Sequence, residues 1–192
     1  MATTLISLER SVTGRITGAW NRSSRSVRGV TALAAISSCV AAGLAAPPAA
    51  IAAGLLVSGL AFVAAALVDI VEHKIPNLLV AMACSATVVS TVATWRSSAI
   101  VGALLGAVVA GGSMLIVRLG RGVGMGDVKL AGAVGLSCGS VALVAAPLAI
   151  ALAALGAAAF GLATGRQRLP LGPALWGGWC AALLLVQLGA AG

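Results

Sequence analysis

The sequence of 192 residues has little charge and few aromatic side chains. Charged residues make up 8% of the chain, whereas soluble globular domains have about a quarter, and this excludes an ordinary cytosolic fold. Aromatic residues make up 3%, too few for a lipid-facing barrel. The strands of such a barrel also alternate between apolar and polar residues, whereas the apolar runs of this sequence are continuous. A hydrophobic content of 60% excludes a disordered chain. We therefore expect an all-α, polytopic transmembrane helical bundle.

The scarcity of reactive side chains excludes several catalytic classes. The single histidine, His73, cannot complete the His-Glu-x-x-His motif of a zinc protease, and no Gly-x-Ser-x-Gly segment supplies a serine nucleophile. The four cysteines stand alone in apolar segments without a Cys-x-x-Cys pair, which argues against a zinc ribbon or a disulfide framework. The phosphate-binding pattern Gly-x-x-x-x-Gly-Lys-Ser/Thr is also absent. We expect neither a metal nor a cofactor.

Apolar segments alternate with short polar ones and predict six to seven membrane spans, since about 20 apolar residues cross the hydrocarbon core. The predicted spans are 30–46, 49–70, 78–95, 99–119, 128–145, 147–164 and 174–192. The division between the fifth and the sixth rests on Pro147. Small residues recur on most of them, as in the pair Gly102 and Gly106, and predict close packing of the helices.

The distribution of basic residues predicts the orientation and requires no nucleic acid. With a cytoplasmic N-terminus, 11 of the 12 basic residues lie on the cytoplasmic side and only Arg96 lies outside, as the positive-inside rule requires. Residues 1–28 would be a basic cytoplasmic tail, disordered or lying on anionic lipid, and residues 29–192 the transmembrane domain. Alternatively, the first span is a cleaved signal sequence that ends near Ala46. The basic residues of the tail are Arg10, Arg15, Arg22, Arg25 and Arg28.

The only two aspartates, Asp69 and Asp127, are predicted at the cytoplasmic ends of two spans. An ionisable group at this depth is a candidate functional residue, although either could instead snorkel to water or pair with Lys74 or Lys129. Two carboxyl groups within a few ångströms share one proton, which is how aspartic proteases activate water. The helix dipoles predict that Asp127, at a helix start, is the ionised base and Asp69, at a helix end, the protonated acid.

The residues around the two aspartates suit the binding of a peptide. Gly124 and Gly126, just before Asp127, would let an extended substrate backbone come close to the carboxyl group. The segment Ile75-Pro76-Asn77, just after Asp69, ends one helix and starts the next, because proline suits a first helical turn.

Two motifs in this order resemble those of the type IV prepilin peptidase family. One is Asp69 followed by Ile75-Pro76-Asn77, and the other is Gly124-Met125-Gly126-Asp127-Val128-Lys129. The segment Pro170-Leu171-Gly172-Pro173 also looks like a stretch that opens the last helix in that family. The resemblance covers residues 49–192 and implies that Asp69 and Asp127 are the catalytic pair of an aspartic endopeptidase. The residues implied around the substrate are Gly124, Gly126, Lys129, Ile75, Pro76 and Asn77.

The resemblance also implies a substrate and a location. The substrate would be a prepilin-like protein whose short, basic leader ends in glycine and is removed at the cytoplasmic face of the bacterial inner membrane, ahead of a hydrophobic helix. The sequence lacks the cytoplasmic insert and the Cys-x-x-Cys motifs of larger relatives. In this it resembles the short branch of the family, which serves tight-adherence pili, so no N-methyltransferase activity is expected. Two other functions stay open: a small proton-coupled transporter, whose acids usually lie near the bilayer midplane, and a non-catalytic membrane component of a pilus or secretion system. The oligomeric state is open.

Overall fold

A computed structural model describes residues 13–21, 25–45, 48–120, 123–165 and 169–190, and in them it has eight helices and no strand. The all-α prediction is therefore confirmed for the described part of the chain. The helices are α1 (13–21), α2 (Arg25–Ala45), α3 (Ala49–Glu72), α4 (Asn77–Ala93), α5 (Ser97–Leu119), α6 (Met125–Val141), α7 (Ala145–Thr164) and α8 (Leu171–Ala190).

Four of the described helices, α3, α5, α7 and α8, are long and apolar enough to cross a membrane. Shorter apolar stretches occupy Thr31–Ala41 in α2 and Asn77–Ala93 in α4. The side chains that these helices expose include many large apolar ones, such as Val108 and Leu162, which are 70% and 88% exposed. Apolar side chains on the outside of a bundle fit a lipid environment.

Proline and backbone geometry fix the helix ends near the candidate site. Pro76 has extended backbone angles (φ −66°, ψ 125°) and immediately precedes α4, as predicted from its position. His73 has a φ of 50° and ends α3, and its N–H bonds to the carbonyl oxygen of Asp69 at 3.0 Å. The segment between them therefore turns the chain from one helix to the next directly after Asp69.

Trp179 of α8 lies at the centre of the core and is fully buried. Its ring meets that of Phe62 from α3 edge to face, with 5.7 Å between the centroids. Its indole N–H donates a 3.0 Å hydrogen bond to the hydroxyl oxygen of Ser137 from α6. Gly59 of α3 makes room for it, because a methyl group there would lie 2.9 Å from the indole ring. One side chain thus ties α8 to both helices that carry an aspartate.

The helices α5 and α6 pack backbone to backbone. A methyl group at Gly102 or Gly106 of α5 would strike the carbonyl oxygen of Gly139 or Gly135 of α6, and the reverse substitutions would strike α5. Such contact is what the pair Gly102 and Gly106 predicts. It fixes the depth of α6 and therefore of Asp127 at its start.

Part of the basic tail is a packed helix. Ile16 and Ala19 give α1 an apolar face, which packs against Leu67 and Val68 of α3, and Ala19 is fully buried. Residues 13–21 therefore differ from the expected disordered or lipid-bound tail, since Ile16 and Ala19 are at helical spacing and give this segment a face that packs. Some sequence expectations concern residues that lie outside the described part of the chain, namely Arg10, Arg22 and Ala46. The side chains of Arg25 and Arg28 also lie outside it.

Candidate active site

Asp69 and Asp127 line one cleft of about 360 Å³, where α3 ends and α4 and α6 begin. The structure therefore brings together the two residues that the sequence singled out, although 57 residues separate them in the chain. Five of the other six predicted site residues also line this cleft: Ile75, Asn77, Gly124, Gly126 and Lys129. The sixth, Pro76, is buried at the start of α4 and shapes the turn beside the cleft.

The carboxyl group of Asp69 is held by the start of α8. Asp69 lies in the last turn of α3 with 6% of its surface exposed. Its Oδ2 accepts a 2.8 Å hydrogen bond from the backbone N–H of Gly172. A methyl group on Gly172 would lie 3.0 Å from that oxygen and 3.1 Å from the Cβ of Asp69, so the close approach requires glycine. A hydrogen bond from a backbone N–H favours the ionised form of a carboxyl group.

The carboxyl group of Asp127 lies in the first turn of α6 and is half-buried. Its Oδ2 accepts a 3.1 Å hydrogen bond from the backbone N–H of Gly124, the residue that precedes the helix. Burial raises the pKa of Asp127 above its ordinary value, the charge of Asp69 raises it further, and the N–H of Gly124 lowers it in part. The two carboxyl groups therefore interact electrostatically across the cleft.

Two contacts hold the segments after Asp69 and around Asp127 together. A methyl group on Gly126 would lie 3.2 Å from the Cβ of Ile75, so glycine allows the start of α6 to approach the turn. The ammonium group of Lys129 donates a 3.1 Å hydrogen bond to the side-chain oxygen of Asn77. Four of the six residues predicted around the substrate thus form the contact between the two aspartate motifs.

Other residues in or beside the cleft were left out of the site by sequence analysis. Gly172 was noted only in the segment that opens the last helix, and that glycine between two prolines was the available signal. Arg15 of α1 lines the cleft, and no motif in the tail indicates this. His73 and Lys74 line it as well, because the turn after α3 is short.

The arrangement suits proton transfer by a carboxyl pair. Two interacting carboxyl groups in a partly buried cleft hold one proton between them over a range of pH, so one can accept a proton while the other donates a hydrogen bond. Among the described residues, no group of three His, Cys, Asp or Glu side chains is placed to hold a metal ion.

Comparison with known proteins gives one match. The model of a family described as the type IV leader peptidase family matches residues 55–163, more than half of the chain and a range that includes both aspartates. No curated protein and no solved structure matches the chain.

Proposed function

Since the chain belongs to the type IV leader peptidase family, we propose that it is an aspartic endopeptidase that removes the leader peptides of prepilin-like proteins. The observation that carries the catalytic assignment is the cleft that Asp69 and Asp127 share. In this proposal the two aspartates are the catalytic residues, and residues 29–192 form the membrane-embedded peptidase domain. A transporter or a non-catalytic component would leave the family and the paired carboxyl groups without a common explanation.

We assign the proton of the resting pair to Asp127 and the negative charge to Asp69. The N–H of Gly172 bonds to Asp69 at the shorter distance and supports its ionised form, against the burial of that carboxyl group, which favours the neutral form. Burial and, after it, the charge of Asp69 raise the pKa of Asp127, which favours its protonated form. The helix dipoles favour the opposite assignment; this one gives the hydrogen bond at Asp69 and the neighbouring charge at Asp127 the greater weight.

The proposed reaction is general acid–base hydrolysis of a peptide bond. The ionised Asp69 takes a proton from a water molecule between the two carboxyl groups, and the water oxygen attacks the scissile carbonyl carbon. Asp127 donates its proton in a hydrogen bond to the carbonyl oxygen as negative charge develops there. When the intermediate breaks down, the C–N bond is cleaved, a proton passes to the leaving amine, and the pair returns to its starting charge.

The proposed location is the cytoplasmic face of the bacterial inner membrane. The chain would span the bilayer six to seven times, with its N-terminus inside, because 11 of its 12 basic residues then lie in the cytoplasm. The cleft would lie at the inner boundary of the membrane, where the leader of a prepilin meets its hydrophobic helix. Gly124 and Gly126 would accept the extended substrate backbone beside Asp127.

We propose peptidase activity alone, without N-methylation. The sequence lacks the Cys-x-x-Cys motifs and the cytoplasmic insert that the resemblance associates with methylation.

The test is co-expression with an epitope-tagged prepilin from the same genome. Asp69→Asn and Asp127→Asn keep the shape of each side chain but prevent the proton cycle, and each should lower the rate of leader cleavage by about 10²–10⁴-fold. The matched control is Glu72→Gln, which neutralises an acid in the same last turn of α3 and should cleave like the native chain. Cleavage is followed by the mass of the tagged prepilin.

Equal membrane levels of all variants, measured by immunoblot, make the comparison valid. Native cleavage by either Asn variant would remove that residue from the catalytic pair. An uncleaved prepilin with the native chain would reject the proposed substrate class.

A further inference from the structure

The N-terminal part of the chain has the same order of features as the substrate proposed above, and this inference rests on that proposed function. Residues 1–28 contain five arginines and a single acid, Glu9. Gly29 follows, and after it comes the apolar stretch 30–46. A basic segment, a glycine and a hydrophobic helix thus follow one another as in a prepilin.

The backbone around Gly29 is accessible. Gly29 is exposed, and a methyl group built on it would meet no atom within 4 Å. It is the fifth residue of α2, and glycine weakens a helix at such a position. Ala34 is the first residue of α2 that the structure describes as buried. The bond after Gly29 can therefore unwind into an extended form without disturbing the packed core.

The helix α1 places the basic segment beside the cleft. Its residues Ile16 and Ala19 pack against Leu67 and Val68, directly before Asp69 in α3. Arg15, between these contacts and the start of the helix, lines the cleft with both aspartates. A basic peptide segment is thus already accommodated at the edge of the candidate active site.

Gly29 itself is not among the residues that line the cleft of its own chain. The bond that follows it therefore lies away from Asp69 and Asp127 of the same molecule in this fold. Cleavage within the same molecule would require this segment to move to the cleft, whereas a second molecule can approach the exposed glycine directly.

We propose that the chain is a substrate of a second copy of itself, cleaved between Gly29 and Val30. Water adds across this amide: the C–N bond breaks, the water oxygen stays on the carbonyl carbon of Gly29 as its new carboxylate, and Val30 leaves as an amine with the proton supplied by the pair. The cleavage also removes α1, and with it Arg15, from the edge of the cleft.

The experiment uses two full-length copies in one cell. One is the native chain, and the other carries Asp127→Asn and a C-terminal tag. We expect the tagged copy to begin at Val30 by intact mass and N-terminal sequencing when the native chain is present, and to keep the segment when both copies carry Asp127→Asn. A tagged prepilin in the same cells reports the peptidase activity independently.

Two variants of the tagged copy localise the cut. Gly29→Val places a branched side chain next to the scissile bond and should leave the tagged copy uncut. Gly14→Val is the matched control, since Gly14 is also an exposed helical glycine of the basic segment with no atom within 4 Å of an added methyl group, and this copy should be cut like its parent. Equal amounts of both in the membrane fraction verify insertion.

Several results would overturn the inference. If the prepilin is cleaved while the tagged copy keeps its segment, the proposed function stands and the second-copy substrate is rejected. If neither is cleaved, both proposals fail. A new terminus at Pro47 would indicate a signal sequence, and a terminus at Val30 without any active copy would indicate another protease.

Discussion

Among individual residues, Gly172 determines how Asp69 is presented. Its N–H holds Oδ2 of Asp69 at 2.8 Å, although the two residues are 103 positions apart in the chain. Nothing in the spacing of the sequence predicts such a contact, because a glycine between prolines also suits any helix start. Because this hydrogen bond orients the buried carboxyl group of Asp69, Gly172 is a positioning residue in the proposed mechanism.

We expect Gly172→Ala to lower the turnover rate of leader cleavage strongly. The added methyl group would lie 3.0 Å from Oδ2 and 3.1 Å from the Cβ of Asp69, so the carboxyl group must shift. A displacement of about 1 Å near the reacting atoms can cost about 10²-fold in rate. The measurement is kcat and KM on a prepilin peptide in detergent, with kcat falling and KM nearly unchanged.

The matched control for Gly172→Ala is Gly177→Ala. Gly177 lies on the same helix, and a methyl group there meets no atom within 4 Å. A pH profile separates positioning from general damage, since a shifted Asp69 should also move the limb on which that group titrates. Native kcat in Gly172→Ala would contradict the positioning role.

The charge states of the pair predict a bell-shaped dependence of cleavage on pH. Activity requires one proton on the pair, so it falls when acid protonates Asp69 and when base deprotonates Asp127. Burial and the charge of Asp69 raise the pKa of Asp127, so the alkaline limb should lie above the range of an ordinary aspartate. Initial rates across pH in detergent test this. An alkaline limb in the range of a solvent-exposed aspartate would contradict it.

Among the helices, the contact of α5 with α6 depends on glycines that face each other. Gly106 and Gly135 bring the two backbones so close that neither tolerates a side chain without movement. The spacing of small residues predicts close packing, yet it does not reveal which helix is the partner, since alanine and glycine recur on most helices of this chain. The structure, and not the sequence, therefore identifies α6 as the partner of α5.

We expect Gly135→Ala to destabilise the bundle by about 1–3 kcal/mol, a typical cost of overpacking. Its methyl group would strike the carbonyl oxygen of Gly106 and the Cβ of Ala110. The control is Gly132→Ala on the same helix, where an added methyl group has ordinary contacts of 3.9 Å and longer, and where alanine favours the helix. Thermal unfolding of the detergent-solubilised chain, followed by circular dichroism, measures both. A lower midpoint for Gly132→Ala than for Gly135→Ala would contradict the contact.

The helix ends near the site were predictable, and the position of α1 was not. Prolines directly precede α3 and α4 and predict where these helices start. The predicted first residues of the two helices therefore agree with the structure to within one residue. The helix α1 packs against α3 through Ile16 and Ala19, and this short apolar stripe does not distinguish it in the sequence from a solvated basic segment. The presence of Arg15 in the cleft follows from that packing and has no signal of its own in the sequence.

For the whole molecule, length and charge give different kinds of information about the membrane. Four described helices meet the length and apolarity of a span, whereas α6, which has 17 residues and carries Asp127 and Lys129 in its first turns, does not. Charge assigns sides independently of this count, since it depends on which connections are basic. The proposed orientation requires the connection before α5, with Arg96, to lie outside, and the connection after α7 to lie in the cytoplasm.

Labelling of single cysteines tests this orientation in intact cells. In a variant with alanine at all four native cysteine positions, Ser98→Cys should react with a membrane-impermeant maleimide, because it lies next to Arg96 on the outer side. Thr164→Cys, at the exposed end of α7, should react only after the membrane is permeabilised. The two residues are both exposed at helix ends, so accessibility within the fold does not distinguish them. Labelling of Thr164→Cys in intact cells would indicate the opposite orientation. The carboxyl pair would then lie outside, where the leader of a prepilin cannot reach it.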